Sequence, residues 1–211
     1  MPEAHTVEPP LKPDIYLRTY EAILGPWRNR TVNLLELGVH RGGSMFWWRD
    51  FFPAGMVAGI DLKIPPLNDP TGRIRLYEGM QQDAKLLDRV AAECAPEGFD
   101  LIIDDASHVG AISHESFWNL YPKHLRPGGI YVIEDWATGY QPSWPDGVRY
   151  QAAARPDPSA KRLPSHDWGL VGFVKQLVDE CGAENPIGEE PRVGTIAEVR
   201  VRPGQVFLFK P

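Results

Sequence analysis

Five short apolar runs, each closed by a glycine or an acid, punctuate the middle of the chain: residues 32–38 (VNLLELG), 56–62 (MVAGIDL), 74–79 (IRLYEG), 99–106 (FDLIIDDA) and 129–136 (GIYVIEDW). Their apolar residues do not alternate with polar ones, which is the pattern of strands covered on both faces. Between them, residues 44–52, 83–94 and 113–124 suit helices. Strands and helices alternating at this length predict a parallel sheet with helices on both faces. Upstream, residues 14–24 (DIYLRTYEAIL) set Ile15, Leu17, Tyr20, Ile23 and Leu24 at helical spacing and start on an aspartate after Pro13. Downstream, residues 168–181 read as a helix, and 195–201 and 206–210 as strands joined by RPGQ, a hairpin signal. The expected architecture is α/β, a mostly parallel seven-stranded sheet closed by an antiparallel C-terminal hairpin strand.

Composition narrows this picture in a few places. The 211 residues suit one domain, 1–211, with a full core. A net charge of -6 argues against a general binder of nucleic-acid backbones. No apolar run approaches the ~20 residues of a membrane span, and the start has no basic region followed by an apolar run, so a soluble cytoplasmic protein is expected. Cys94 and Cys181 show no CxxC spacing and read as two buried thiols in a reducing compartment. The 21 prolines gather at the N-terminus and after Glu134, which marks those regions as loops and lids.

The strand ends carry the chemistry. LLELGVHRGGSMFWW leads from a strand that ends in an acid, through a glycine-rich turn, into a helix at Ser44. Glycines allow a ligand close to the backbone, and a helix N-terminus presents free amides. The spacing Gly38, Gly42, Gly43 is not the dinucleotide fingerprint. At the second strand end, Asp61 stands where an acid can accept from ribose hydroxyls. Gln81, Gln82 and Asp83 follow the third strand; they suit an adenine edge, and Asp83 also suits a helix N-cap.

Asp104 and Asp105 end the fourth strand, and Glu134 and Asp135 end the fifth. Adjacent strand ends of an open α/β sheet face one crevice, so Asp105, Glu134 and Asp135 can converge there, with His108 one turn beyond. Three carboxylates together repel, and a divalent cation removes that cost. All-oxygen ligands select Mg²⁺ first, with Mn²⁺ or Ca²⁺ as the other choices. His108 reads either as a structural histidine at a helix start or as a general base beside the metal ligands. His40 has no identified task, His114 and His124 read as surface or core residues on a helix, and His166 is left open.

In this order, ELGVHRGGS, GIDL, EGMQQD, IIDDASH and GGIYVIED resemble the metal-dependent sugar O-methyltransferases, among them the enzymes that methylate deoxysugars on macrolides, and mycobacterial polysaccharide O-methyltransferases. The resemblance covers residues 34–135. It implies the class I methyltransferase (Rossmann-like) fold. It implies S-adenosylmethionine held by Glu36, Gly38, Ser44, Asp61, Gln81, Gln82 and Asp83, with Asp104 counted in the same set. It further implies Mg²⁺ held by Asp105, Glu134 and Asp135, and His108 taking the proton from a sugar hydroxyl. Ala106 stands where the family often has glycine, and Met80 interrupts a polar loop that often reads G-D-Q.

Residues 137–168 are too long for an ordinary connection and are expected to form a lid. Trp136, Tyr140, Trp144 and Tyr150 suit stacking on sugar rings, with Arg149 or Lys161 reaching an anionic group. Residues 1–30 are expected to form a cap over the cofactor or a subunit contact. The expected partner is a small glycoside or oligosaccharide, with no nucleic acid and no membrane; a homo-oligomer, a dimer first, is the assembly to test. The rivals are a metal-dependent hydroxylase or hydrolase on the same fold, a non-catalytic cofactor-binding partner, and a catechol-type O-methyltransferase.

Overall fold

The computed structural model describes residues 9–150, 165–183 and 195–211. β1 (Asn33–Leu37), β2 (Met56–Asp61), β3 (Ile74–Glu78), β4 (Phe99–Asp104) and β5 (Leu125–Glu134) run parallel. β7 (Gln205–Phe209) returns antiparallel to β5 and pairs with β6 (Glu198–Arg202). The order β3-β2-β1-β4-β5-β7-β6 gives the seven-stranded sheet that the apolar runs predict.

Successive side chains leave a strand on opposite faces, so each central strand supplies two cores. Leu35, Leu37, Ile60, Ile102 and Tyr131 pack toward α3 (Ala84–Cys94), α4 (Gly110–His124) and α5 (Gly169–Gly182). Leu34, Val57, Leu101, Ile103 and Val132 pack toward α1 (Asp14–Leu24) and α2 (Gly43–Phe51). Each fully buried aliphatic side chain contributes about 1.5–3 kcal/mol. On the second face Tyr20 lies edge-on to Trp48 at 4.7 Å and to Phe207 at 5.8 Å, which pins α1 to the sheet.

Three details depart from the sequence pattern, each for a tertiary reason. The helix at 14–24 buries Tyr16, Tyr20 and Leu24, while Ile15 is half exposed at 49%. The aromatic i, i+4 stripe, and not the aliphatic one, faces the sheet. α4 begins at Gly110 instead of 113, because the Asp146 carboxylate, remote in sequence, accepts from Gly110 N at 2.8 Å. β5 begins at Leu125, four residues before the apolar run, through a pairing of Leu125 with Phe99 beside a register shift.

β1 and β4 are neighbours from which the sheet is wound in opposite directions, so their carboxyl ends open a crevice. Gly38 closes the base of that crevice at φ 93°, where an added Cβ would lie 2.1 Å from the Asp105 carbonyl oxygen. Only glycine lets the two backbones cross so closely. Among the described residues, no helix is long and apolar enough to cross a membrane.

Candidate active site

Strand parity sorts the acids at these ends. Glu36 shares the parity of Leu34, and Glu134 that of Val132, so both point to the face that carries α1. Asp104 shares the parity of Ile102 and points to the α3 and α4 face. There it meets neutral donors: Gln81 Nε2 donates to its Oδ1 at 2.9 Å and also reaches Ser116 Oγ at 3.2 Å. Burial raises the Asp104 carboxyl, with Ser113 and Gln81 pulling the other way.

The α1 face answers its acids with charge. The Lys12 ammonium lies 3.0 Å from Glu36 Oε1, 2.6 Å from Asp105 Oδ2 and 2.9 Å from Glu134 Oε2. Its side chain is only 4% exposed. Burial alone would pull this ammonium down, but Glu36, Glu134 and Asp105 outweigh it and hold the group protonated. Neither Glu36 oxygen makes a well-aligned hydrogen bond, so Lys12 is its counter-charge. One and two turns along the same stripe, Tyr16 OH donates to Asp135 Oδ1 at 2.5 Å and Tyr20 OH donates to Glu134 Oε1. Burial, then the neighbouring acids, raises both phenols, so they remain donors. Burial likewise pushes the Glu134 carboxyl up, against the pull of Lys12.

Beside this cluster lies a cleft of about 600 Å³, lined by Gly38, Ser44, Asp61, Gln81 and Gln82 among others. Of the eight residues expected to hold a cofactor, these five line it. Glu36 and Asp104 sit buried behind it, and Asp83 caps α3 by accepting from Lys85 N and Leu86 N. Asp61 Oδ2 accepts from Val39 N and His40 N at 2.7 and 2.8 Å, which ties the glycine turn to the second strand end. Leu11, Leu62 and Met80 line the cleft as large, mostly exposed apolar side chains, with surface to offer a flat ring. The volume suits a nucleoside-sized ligand.

Among the described residues, His40, His108 and Asp135 are the non-glycine residues with positive φ, at 50°, 51° and 52°. Each follows a crevice strand: β1, β4 or β5. Such backbone costs about 1–3 kcal/mol and gathers at functional sites. The side chains of Asp105, His108 and Asp135 offer ligand atoms that all lie within 4.8 Å of one another. His108 Nε2 stands 3.8 Å from Asp105 Oδ1 and 3.9 Å from Asp135 Oδ2. The two carboxylates offer oxygen ligands of the kind a hard divalent cation takes, with the imidazole within reach of both. Glu134, expected as the third acid, accepts from Lys12 and Tyr20.

The segment after β5 supports this edge. Asp146 Oδ2 accepts from both Gly110 N and Leu170 N at 2.8 Å, so one carboxylate holds the N-termini of α4 and α5. Trp144 packs edge-on against His108 at 5.1 Å. Tyr140 and Tyr150 instead pack around His166, which stacks on Trp168 at 4.0 Å. Trp136 donates from Nε1 to Arg202 O at 3.0 Å. Thus Trp144 is the aromatic of the four that stands by the cluster, and His166 is a packing residue. Residues 151–164, with Lys161, lie outside the described residues.

Lys12, Tyr16, Tyr20 and Asp146 are absent from any reading of the motifs. Their signal is weak but present: Lys12, Tyr16, Tyr20 and Leu24 recur every four residues, three of them with a polar tip on an apolar stem.

No family model matches the chain, but comparison with known proteins finds relatives. The chain is 42% identical over 167 residues to mycinamicin VI 2''-O-methyltransferase of Micromonospora griseorubida, covering 76% of this chain and 38% of that protein. It is 39% identical over 173 residues to L-olivosyl-oleandolide 3-O-methyltransferase of Streptomyces antibioticus, covering 78% and 40%. The structure of MycE methyltransferase with Mg, SAH and mycinamycin VI superposes at a TM-score of 0.71 with 34% identity, over 92% of this chain and 48% of that one. The chain therefore spans less than half the length of these relatives. Its fold is that of the class I methyltransferases, and the chain is a homologue of the sugar O-methyltransferases of macrolide and polyketide pathways.

Proposed function

We propose that the protein transfers a methyl group from S-adenosylmethionine to a hydroxyl of a sugar, with a divalent cation, Mg²⁺ first, at the acid cluster. One observation carries the reading: an acid and imidazole cluster at the ends of β4 and β5 opens onto a nucleoside-sized cleft at the switch point of the sheet. The glycosylated acceptors named for the relatives supply the substrate class.

In this reading Gly38, Ser44, Asp61, Gln81 and Gln82 bind the cofactor, with Glu36 and Asp104 behind them. Asp105 and Asp135 hold the cation, with Glu134 beside them. S-Adenosylmethionine supplies the methyl group on a sulfonium that leaves as a neutral thioether. A divalent cation supplies positive charge that lowers the pKa of a nearby hydroxyl. His108 takes the hydroxyl proton, the acceptor oxygen forms its bond to the methyl carbon, and the carbon–sulfur bond breaks in line with it. Trp144 and the 136–150 segment shield the imidazole and offer a flat face for a sugar ring. Alignment of oxygen, carbon and sulfur by these walls contributes on the order of 7 kcal/mol in the best cases. The acceptor is a free glycoside or an oligosaccharide, and the two unpaired thiols suit the cytoplasm.

The test is methyl transfer from S-adenosylmethionine across a panel of glycosides and catechols, with EDTA and with Mg²⁺. Methylated glycoside formed only with Mg²⁺ is expected. Transfer to catechols alone would move the protein to the catechol group, and metal binding with no transfer to any acceptor would sink the reading. The hydroxylase and hydrolase alternatives are disfavoured, since the relatives above are named for methyl transfer.

A further inference from the structure

The three acids around Lys12 come from two expected ligand sets. Glu36 belongs with the cofactor residues, and Asp105 and Glu134 with the metal residues. One ammonium, at 2.6–3.0 Å from all three, stands where both sets meet. Lys12 is carried by no regular element: it precedes α1 by two residues, between Leu11 and Pro13. Pro9, Leu11 and Lys12 also line the cofactor cleft, so the segment that carries the ammonium walls the space a cofactor would fill. Leu11, on the same wall, is 69% exposed, so little apolar packing holds the strap down beyond the lysine itself.

The electrostatics explain the arrangement. Glu36, Asp105 and Glu134 sit within reach of one another, and Asp135 is tied in through Tyr16. Without a cation this group would repel itself apart or take up protons. A lysine that reaches in from a loop satisfies the acids while the site is empty. A dication placed among the same oxygens interacts with each about twice as strongly as an ammonium at equal distance. The two cations cannot both hold Asp105 Oδ2 and Glu134 Oε2. The phenols of Tyr16 and Tyr20 remain on α1 in either case and keep Asp135 and Glu134 oriented.

We propose that Lys12 is an internal counter-ion that fills the acid cluster of the unloaded protein and yields Asp105 and Glu134 to the divalent cation, so that metal loading releases the strap at residues 9–12 from the cofactor cleft. The proposal rests on the metal reading given above. It also accounts for the position of Glu134, which the sequence pattern assigns to the metal and the structure turns to Lys12. On release, Glu36 becomes available to a cationic group of the cofactor.

Two measurements on the whole chain test this. The first is amine acylation read by peptide mass spectrometry with Mg²⁺ alone as the probe. Lys12 is expected to be nearly unreactive in EDTA and to gain several-fold in labelling with Mg²⁺, while exposed Lys63 stays constant as the internal standard. The second is calorimetric titration of Mg²⁺ into the wild-type protein, Lys12→Met and Lys12→Arg. Removing a unit charge a few Å from a dication is expected to tighten Mg²⁺ binding roughly tenfold or more in Lys12→Met, with Lys12→Arg returning to the wild-type value. Equal affinity in all three proteins, or a Lys12 that stays unreactive when Mg²⁺ is bound, overturns the exchange and leaves the metal reading standing, with Asp105 and Asp135 as the ligands. Absence of Mg²⁺ binding in every protein overturns the metal reading itself, and the exchange with it. Should Lys12→Met fail to fold, the labelling experiment on the wild-type chain still decides.

Discussion

Asp104 and Asp105 are adjacent in sequence and end up in opposite surroundings. Asp104 turns to the α3 and α4 face, where Gln81 meets it with a neutral amide beside Ser116. Asp105 turns to the α1 face, where it shares a buried ammonium with two other acids and stands 3.8 Å from His108. A neutral partner fixes a carboxylate in place and asks little of its charge. A cationic partner balances charge, and charge balance can be handed to another cation. The two faces of one strand end thus separate a structural acid from an exchangeable one.

The sharpest way to break this comparison is to neutralise each acid in turn. Asp105→Asn is expected to abolish Mg²⁺ binding by calorimetry and to lower turnover roughly 10³-fold, the several kcal/mol that a lost cation takes from charge stabilisation. Chelation of the wild-type protein should give the same loss, with activity restored by Mg²⁺. An Asp105→Asn protein that keeps both would erase the distinction. Next in size, His108→Ala is expected to lower turnover by about 10²–10⁴-fold while binding of S-adenosylhomocysteine persists. A Mg²⁺ titration of the same variant sharpens the assignment: unchanged affinity fits a base, and weakened affinity fits a ligand.

Asp146→Ala tests the support beneath both acids, since it orphans the amides of Gly110 and Leu170. A loss of about 1–3 kcal/mol per amide is expected, read as a lower Tm. The smallest effect belongs to Asp104→Asn. Its amide oxygen can still accept from Gln81, so stability should stay within about 1 kcal/mol and Mg²⁺ affinity should not move.

The sheet was legible because buried parallel strands betray themselves: runs such as LIID carry no alternation and stop at acids or glycine. The acids at the ends of β4 and β5 were legible for the same reason, since neighbouring strand ends must share a crevice. The partners of those acids were not. Lys12 meets Asp105 across 93 residues and Glu134 across 122, and its four-residue spacing from Tyr16 and Tyr20 marks a shared face without naming either acid as its partner. Asp146 reads as a loop aspartate until two helix ends arrive from 36 and 24 residues away. Parity could have told Asp104 from Asp105 in advance, because side-chain direction in a strand is fixed by counting. What stands opposite a side chain is not, since it depends on how remote elements dock.

The crossing at Gly38 has one more effect. Because a single methyl group there would strike the carbonyl of Asp105 at 2.1 Å, the spacing between the glycine turn and the end of β4 is a main-chain dimension, beyond the reach of side-chain replacement. In the proposed reaction such a ruler would keep methyl donor and acceptor at one separation. The wall beside His108 at Trp144 is a side chain and carries no such limit, so under the proposed methyl transfer it is there that acceptor preference is expected to change.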